Sequence, residues 1–295
     1  MAIAFTIHTA LSHTTQAWSH DTAQVDAELL LCHVLHVERT YLYTWPEKPL
    51  SPAQWHAFQA LVKRREQGEP IAYILGTRAF WSLDFDVTPD VLIPRPETEL
   101  LVETTLQLTD PPNANILELG TGSGAIICSL AHERPSWRCT ATDLSDSALS
   151  VAKRNAQKHQ LANITFLPGS WFDPVPQQLF NVIISNPPYI AGDDPHLKQG
   201  DCRFEPQGAL TSGQTGLEDL EHIIAQAKTY LAPQGWVLLE HGYDQATAIA
   251  ALFKQYGFSQ IEHRQDLADI NRITVACSTL SQCQATPKDA YITTS

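Results

Sequence analysis

From residue 115 onward the chain alternates between short apolar runs and helical segments, and this alternation constrains the fold more than any other feature. Strands are predicted at 115–119, 138–142, 163–167, 180–185, 235–240, 258–263 and 271–277, and helices at 124–133, 145–159, 217–231 and 243–256. Such alternation is typical of a mostly parallel sheet with helices on both faces. The last two strands have no helix between them and are expected to pair antiparallel at the sheet edge. The sequence therefore predicts an α/β fold with a Rossmann-like sheet.

The first 70 residues have helical periodicity and are predicted to form a small helical domain. In one helix, four side chains recur at helical spacing and further leucines and valines widen the apolar face: Val25, Leu29, Cys32 and His36. Ser51 followed by Pro52 is typical of a helix start, with Ser as the N-cap and Pro in the first turn. This second helix is expected to end near Gly68.

In residues 71–95 the apolar residues recur at a shorter spacing than in the helical segments before them. Two short strands around Gly76 and Asp84 are suggested by a set of apolar residues: Tyr73, Leu75, Phe80, Leu83, Phe85 and Val87. Two prolines then favour an extended segment, and a helix is predicted from Glu97 to Leu108. The expected organisation is a helical domain at 1–70, a β-hairpin linker at 71–95, a sheet domain at 96–277 and a disordered tail at 278–295.

The composition is that of an acidic globular protein with a formal net charge of −13. Non-specific nucleic acid binding requires clustered Lys and Arg, so no direct contact with nucleic acid is expected. The six cysteines have no CxxC pair and no zinc spacing, so no metal site is expected. No run approaches the roughly 20 apolar residues that span a bilayer, and the first residues do not resemble a signal peptide. The chain is expected to be a cytoplasmic monomer without membrane contact.

A glycine-rich loop follows the first strand of the predicted sheet. Gly120, Gly122 and Gly124 let the backbone turn tightly and approach a ligand closely. Thr121 and Ser123 complete the candidate cofactor loop. This pattern alone leaves two cofactors open, S-adenosylmethionine and a nicotinamide dinucleotide.

Two acids and two aromatic residues stand where they can contact such a cofactor. Asp143 ends the next predicted strand, where an acid accepts hydrogen bonds from ribose hydroxyls. Glu118 precedes the glycine loop and is a candidate for orienting the amino acid end of a cofactor. Trp171 and Phe172 follow the third strand and can flank an adenine ring. The alternatives are helix capping for the acids and core packing for the aromatic residues.

The segment Asn186-Pro187-Pro188-Tyr189 distinguishes between the two cofactors. It follows the fourth strand, which lies beside the first in a doubly wound sheet and so ends near the glycine loop. The side-chain oxygen of Asn186 and the carbonyl of Pro187 can accept both N–H groups of a planar nitrogen and fix its line of attack. Proline stiffens the loop, and Tyr189 offers a flat packing face. The expected chemistry is methyl transfer from S-adenosylmethionine to an amide or aromatic amine nitrogen.

The chain resembles the bacterial release factor glutamine methyltransferase family, known as PrmC or HemK. The resemblance covers about residues 20–277 and is carried by these segments: 68–76, 91–102, 117–126, 186–190, 203–206, 239–242, 266–267 and 271–272. The loops at 117–126 and 186–190 are shared with many amino-methyltransferases. The segment Ile93-Pro94-Arg95-Pro96-Glu97-Thr98-Glu99, joined to them, is far more specific. The resemblance implies a class I methyltransferase sheet with an N-terminal helical domain.

The resemblance also implies an activity in translation termination. Members methylate the side-chain amide nitrogen of the glutamine in the Gly-Gly-Gln motif of class 1 peptide chain release factors. By resemblance, S-adenosylmethionine contacts these residues: Gly120 to Gly124, Asp143, Trp171 and Asn186. The loop 186–189 would hold the glutamine, the helical domain would grip the release factor, and the entrance would be lined by Arg95, Pro96, Glu97 and Glu99. Glu118 stands where members often have Asp.

Three other functions remain open from the sequence. An adenine-N6 methyltransferase on DNA or RNA uses the same Asn-Pro-Pro-Tyr chemistry on a flipped base, although the net charge of −13 argues against it. A nicotinamide-dependent oxidoreductase would leave that loop unexplained. A non-catalytic S-adenosylmethionine-binding scaffold is the third, and the intact Asn186, Pro187 and Tyr189 argue against it.

Overall fold

The helical domain at the start of the chain contains the predicted helices. A computed structural model describes residues 5–109 and 111–278, so the tail predicted at 278–295 lies, except for Ser278, outside the described residues. The helices are α1 (Ile7–Ala17), α2 (Ala23–Leu35), α3 (Arg39–Thr44), α4 (Pro52–Glu66) and α5 (Ile71–Leu75). The predicted start at Ser51 is confirmed, because its hydroxyl accepts from Gln54 N at 3.2 Å and the Gln54 side chain accepts from Ser51 N at 2.9 Å.

The apolar face predicted for α2 is partly wrong. Cys32 lies in the core of the helical domain, but Val25 is 41% exposed and His36 ends the helix with a φ of 53°. The buried face instead includes two acids, Asp26 and Glu28, which form ion pairs with arginines of other elements. Periodicity assigns charged residues to the surface, and these ion pairs reverse that assignment.

The predicted hairpin begins later than expected. Tyr73 and Leu75 lie in α5 rather than in a strand. Pro70 has a φ of −57° and starts this helix, and Gly76 ends it in the left-handed region with a φ of 73°.

The two strands of the hairpin are β1 (Thr77–Phe80) and β2 (Leu83–Asp86). Phe80 pairs with Leu83, so the turn lies at Trp81 and Ser82, and the strand predicted around Asp84 is confirmed as β2. Trp81 adopts a φ of 56° in this two-residue turn, as the twist of a tight hairpin requires.

The predicted α/β sheet is confirmed. The strands are β3 (Asn115–Leu119), β4 (Arg138–Asp143), β5 (Ile164–Pro168), β6 (Phe180–Ser185), β7 (Leu231–Glu240), β8 (Phe258–Gln265) and β9 (Asn271–Ser278). Their order is β5-β4-β3-β6-β7-β9-β8. The pairs from β5 to β7 are parallel, and β9 pairs antiparallel with both β7 and β8, so β8 forms the edge.

Helices cover both faces of the sheet. They are α6 (Glu99–Leu108), α7 (Ala125–Glu133), α8 (Asp146–Lys158), α9 (Glu218–Tyr230) and α10 (Ala246–Gln255). Neighbouring residues along β3 pack into different cores: Ile116 joins the core of α6, α7 and the hairpin, whereas Leu117 joins the core of α9 and α10. Within the described residues, none of the helices has both the length and the apolar character to cross a membrane.

One buried amide joins the hairpin to the glycine loop. Asn155 of α8 is 0% exposed. Its side-chain oxygen accepts from Asp86 N at 2.8 Å, and its Nδ2 donates to Asp86 O at 3.0 Å and to Ser123 O at 2.8 Å. Three backbone groups from distant parts of the chain therefore depend on a single side chain.

We expect Asn155→Leu to lower the free energy of unfolding by at least about 2 kcal/mol. Leucine has a similar size but leaves these backbone groups unpaired, and each buried unpaired group costs roughly 1–3 kcal/mol. Urea denaturation measures the change. Gln157→Ala, at an exposed position of the same helix, is the control. Equal stability of the two variants would show that the Asn155 hydrogen bonds do not hold the hairpin.

Candidate active site

The carboxyl ends of β3 and β6 place the two predicted loops side by side. The strands are parallel neighbours, and Leu119 pairs with Ser185. The Ser185 hydroxyl donates to Leu119 O at 2.7 Å and so joins the last residues of both strands. The glycine loop and the loop that begins at Asn186 therefore leave the sheet at the same point.

A cavity of about 480 Å³ opens between these loops. This volume lies within the range of ordinary small-molecule sites. Of the predicted site residues, the cavity is lined by Arg95, Glu118, Gly120, Thr121, Gly122, Ser123, Asp143, Trp171, Asn186 and Pro188. The other predicted residues lie behind or beside this lining: Gly124, Pro187, Tyr189 and Glu97. Among the described residues, no cluster of His, Cys, Asp and Glu is arranged to hold a metal ion.

The glycine loop needs glycine for its conformation and for close packing. Gly120, Gly122 and Gly124 have φ values of 70°, 56° and 81°, in the left-handed region that disfavours other residues. A Cβ at Gly124 would lie 3.1 Å from the Cβ of Ala152 in α8, so this glycine also allows the loop to approach that helix. A ligand in the cavity would meet the loop backbone near the start of α7, where the orphan N–H groups of a helix lie.

Asp143 holds the glycine loop from the neighbouring strand. Its Oδ2 accepts from Gly122 N at 2.8 Å and its Oδ1 accepts from Ser145 N at 2.9 Å. The cap of α8 is Ser145, whose hydroxyl accepts from Ala148 N at 3.1 Å. Burial raises the pKa of Asp143, and the two N–H donors lower it in part. Each carboxylate oxygen has two lone pairs, so Asp143 can still accept from a ligand in the cavity.

Glu118 places an acid at the base of the cavity. It is 1% exposed, and the Thr121 hydroxyl donates to its Oε2 at 2.5 Å. Burial, with a smaller contribution from the charge of Asp143, raises the pKa of Glu118 to about 8. A cationic group of a ligand would stabilise a carboxylate here, because a positive charge would replace the hydration lost on burial.

The two aromatic residues after β5 have different roles. Trp171 adopts a φ of 44° and lines the cavity, with its ring 3.3 Å from the position of a Cβ at Gly120. Phe172 is buried in the core and stacks on Tyr230 with ring centroids 4.7 Å apart. The two alternatives were contact with an adenine ring and core packing. Core packing therefore applies to Phe172, while Trp171 presents an apolar face to a ligand.

The side chain of Asn186 is oriented by a residue that sequence reasoning did not assign to the site. Its Nδ2 donates to Thr98 Oγ1 at 3.2 Å, which leaves Oδ1 available to a ligand in the cavity. Thr98 lies in a single 3₁₀ turn, Pro96–Thr98, that precedes α6. The signal that could have identified it is its place in the segment Ile93 to Glu99.

Gln245 supports the end of the same loop, and Glu240 lies close to the Tyr189 hydroxyl. The Tyr189 carbonyl accepts from Gln245 Nε2 at 3.0 Å, which fixes the end of the loop to the start of α10. Burial raises the pKa of the Tyr189 hydroxyl, and the charge of Glu240 raises it further. Glu240 ends β7, directly beside β6.

The residues expected at the entrance lie in three different surroundings. Arg95 lines the cavity and forms an ion pair with the buried carboxylate of Glu205, whose other oxygen accepts from Ile93 N at 3.0 Å. Pro96 and Glu97 are exposed outside the cavity lining. Glu99 faces the hairpin instead, where it accepts from Trp81 N at 2.8 Å.

Comparisons with known proteins agree for both parts of the chain. Residues 9–76 match the PrmC N-terminal domain, and residues 96–202 match the methyltransferase small domain. The release factor glutamine methyltransferase of Aliivibrio fischeri is 47% identical over 256 residues, which are 86% of this chain and 90% of the relative. That of Shewanella oneidensis is 47% identical over 259 residues, 88% of this chain and 91% of the relative. A crystal structure of a methyltransferase from Pyrococcus furiosus has the same fold, with a TM-score of 0.53, 20% identity, and coverage of 75% of this chain and 98% of that chain.

Replacing Glu118 by Gln is expected to remove a pH dependence of stability. The pKa of this carboxyl is about 8 in the folded chain against 4.5 for an ordinary glutamate. Its stability contribution is therefore fully present below about pH 4.5 and is lost as the pH rises through about 8. Within this window the free energy of unfolding should fall, relative to Glu118→Gln, by roughly 1.4 kcal/mol per pH unit.

Denaturation curves at several pH values between about 5 and 9 test this expectation. The control is Glu103→Gln, at an exposed position on α6, which should follow the unmodified protein at every pH. If the free energies of unfolding of the unmodified protein and of Glu118→Gln differed by the same amount at every pH, the result would contradict a buried ionisable carboxyl at Glu118.

Proposed function

The chain belongs to the release factor glutamine methyltransferase family, and we propose that it methylates the side-chain amide nitrogen of the Gly-Gly-Gln glutamine in class 1 peptide chain release factors. S-adenosylmethionine is the proposed methyl donor. The single observation that carries the proposal is the position of Asn186: it follows β6 beside the glycine loop, it lines the cavity, and its Nδ2 donates to Thr98, which leaves its Oδ1 for a ligand. An acceptor at this place suits a nitrogen that must present its lone pair to the donor.

The residues around the cavity fit S-adenosylmethionine, which supplies an electrophilic methyl group on a positively charged sulfur. Glu118 is a buried acid, and its charge is stabilised by the positive charges of the donor. Asp143 retains lone pairs for ribose hydroxyls, next to the loop that it holds. Trp171 and the exposed Leu144 provide apolar faces for an adenine ring.

The loop 186–189 is proposed to activate the glutamine amide by position alone. A carboxamide nitrogen is a weak nucleophile because its lone pair is delocalised over the carbonyl. The Asn186 Oδ1 and the Pro187 carbonyl accept its two N–H groups, and both interactions strengthen as positive charge develops on the nitrogen. The nitrogen becomes acidic during transfer, so no strong base is required beforehand. Pro187 and Pro188 stiffen the loop and keep both acceptors in place.

The partner is proposed to be a release factor that contacts the helical domain while its glutamine enters the cavity. The ion pair of Arg95 with Glu205 keeps the Arg95 guanidinium at the cavity wall, where it can bind the backbone of the incoming loop. We further propose that the enzyme is a monomer in the cytoplasm and does not bind nucleic acid. The net charge of −13 supports the last point.

A tritiated-methyl transfer assay tests the proposed substrate. It offers unmethylated release factor, a release factor with alanine in place of the Gly-Gly-Gln glutamine, duplex DNA and single-stranded DNA in parallel. We expect label only on the unmodified release factor. Label on DNA would favour adenine-N6 methylation, and S-adenosylmethionine binding without any label would favour the non-catalytic scaffold.

We expect Asn186→Ala to lower kcat about 10²–10³-fold, the usual effect of removing one preorganised polar partner at the reacting centre. Affinity for S-adenosylmethionine, measured by calorimetry, should change much less. The matched control is Asn181→Ala at the opposite end of β6, which removes a hydrogen bond to Asn115 N far from the cavity and should leave kcat unchanged. Near-normal turnover of Asn186→Ala would exclude Asn186 from the reaction.

A further inference from the structure

Glu240 is a buried acid at the site that the reaction proposed above does not use. It is 2% exposed at the end of β7. Leu239 pairs with Ser185, so Glu240 lies beside Asn186 across the two strands. Its Oε2 is buried without a hydrogen-bond partner among the described residues. A buried carboxylate with a free oxygen is costly, and its position next to the reacting loop calls for an explanation.

The groups that face Glu240 come from three elements. The hydroxyls of Thr98 and Tyr189 and the charge of Arg272 lower its pKa, and the charge of Glu97 raises it. Burial is the largest effect, and the resulting pKa of Glu240 is about 7. Arg272 already donates to Asp266 at 2.8 Å, so its charge is shared with another acid. The two hydroxyls are therefore nearby groups that can donate a hydrogen bond to Glu240 without being shared with another acid.

Thr98 connects Glu240 to Asn186. Its Oγ1 accepts from Asn186 Nδ2, and it is buried between the cavity and β7. A hydroxyl has one proton and two lone pairs. Since the oxygen accepts from Asn186, the hydroxyl proton is free to be donated elsewhere, and the Glu240 carboxylate, whose Oε2 has no hydrogen-bond partner among the described residues, lies near it.

The orientation of the Asn186 amide matters because its two ends have opposite hydrogen-bonding character. With Nδ2 held by Thr98, the Oδ1 is left to accept an N–H of the substrate. A rotation of the amide by half a turn would present two N–H donors to the N–H groups of the glutamine. Such a pose has no acceptor for the reacting nitrogen and would not be productive.

We propose that Glu240 and Thr98 are positioning residues for methyl transfer: the Glu240 carboxylate accepts a hydrogen bond from the Thr98 hydroxyl, and the Thr98 oxygen, left as an acceptor, fixes Asn186 with its own acceptor toward the substrate. The same carboxylate faces the Tyr189 hydroxyl and so also supports the other end of the loop. The proposal rests on the proposed function for its kinetic consequence. The orientation of Asn186 itself is a property of the enzyme alone.

Three substitutions separate the direction of the hydrogen bonds from side-chain size. Glu240→Gln keeps the shape but adds an NH₂ donor that competes with Asn186 for the Thr98 oxygen. Thr98→Val removes the hydroxyl, and Thr98→Ser keeps it. We expect Glu240→Gln and Thr98→Val to lower kcat roughly 10–100-fold, within the effect of removing the acceptor itself, whereas Thr98→Ser stays near the unmodified enzyme. Asn181→Ala serves again as the control.

The combination with Asn186→Ala distinguishes positioning from a general structural role. If Glu240 acts through Asn186, Glu240→Gln should cause no further loss in the Asn186→Ala background. An equal loss in both backgrounds would overturn the proposal. The kcat of the unmodified enzyme should also rise with pH through about 7 as Glu240 ionises, and this limb should be absent in Glu240→Gln.

A measurement without substrate keeps the inference independent of the proposed function. In ¹⁵N-labelled enzyme, the side-chain NH₂ signals of Asn186 are assigned by their loss in Asn186→Ala. We expect these signals to shift in Glu240→Gln and Thr98→Val and to stay in place in Thr98→Ser and Asn181→Ala. Unchanged signals in Glu240→Gln would refute the positioning role even if release factor is methylated. Shifted signals without methylation of any release factor would refute only the proposed substrate.

Discussion

The parallel pairing of β3 with β6 is the constraint on which the rest of the site depends. Because side chains alternate along a strand, a slip of one residue between the two strands would turn the whole of β6 over and remove Asn186 from the glycine loop. The register is held by the buried apolar residues on both faces of the sheet and by the Ser185 hydroxyl on Leu119 O. β7 continues the same edge on the other side of β6 and adds Glu240. Three neighbouring strands, β3, β6 and β7, thus bring the polar groups of Glu118, Asn186 and Glu240 to one place with little contribution from loop conformation.

Much of this arrangement was predictable because it follows from periodicity and topology. Strands and helices of the sheet domain are within a few residues of their predicted bounds, since buried strands carry continuous apolar runs and their covering helices are amphipathic. The meeting of the glycine loop with Asn186 followed from the strand order of a doubly wound sheet alone. The helical domain was recognisable as well, down to the cap at Ser51.

The parts that were not predictable depend on single contacts between distant side chains. Thr98 and Asn186 are 88 residues apart, and no spacing in the sequence connects a 3₁₀ turn to a strand end. The same holds for Asn155, which bonds to Asp86 69 residues away. In α2, the acid Glu28 lies on the buried face because Arg39 reaches it from the next helix, and periodicity has no means to anticipate such a pair. Pattern thus predicts the scaffold, while the orientation of functional side chains depends on pairings that only the folded chain reveals.

The two buried acids of the site illustrate why the orientation matters. Glu118 and Glu240 both have pKa values raised by burial, so each ionised carboxylate disfavours the folded state. Glu118 opens onto the cavity, where a cationic ligand can compensate its charge, whereas Glu240 faces internal hydroxyls, the shared charge of Arg272 and the like charge of Glu97. An acid of the first kind is suited to binding, and an acid of the second kind is suited to aligning dipoles before a substrate arrives. If folding already orients the Asn186 amide, its rotation adds nothing to the activation free energy of methyl transfer. The weakly nucleophilic substrate amide then meets an acceptor that already has its final direction.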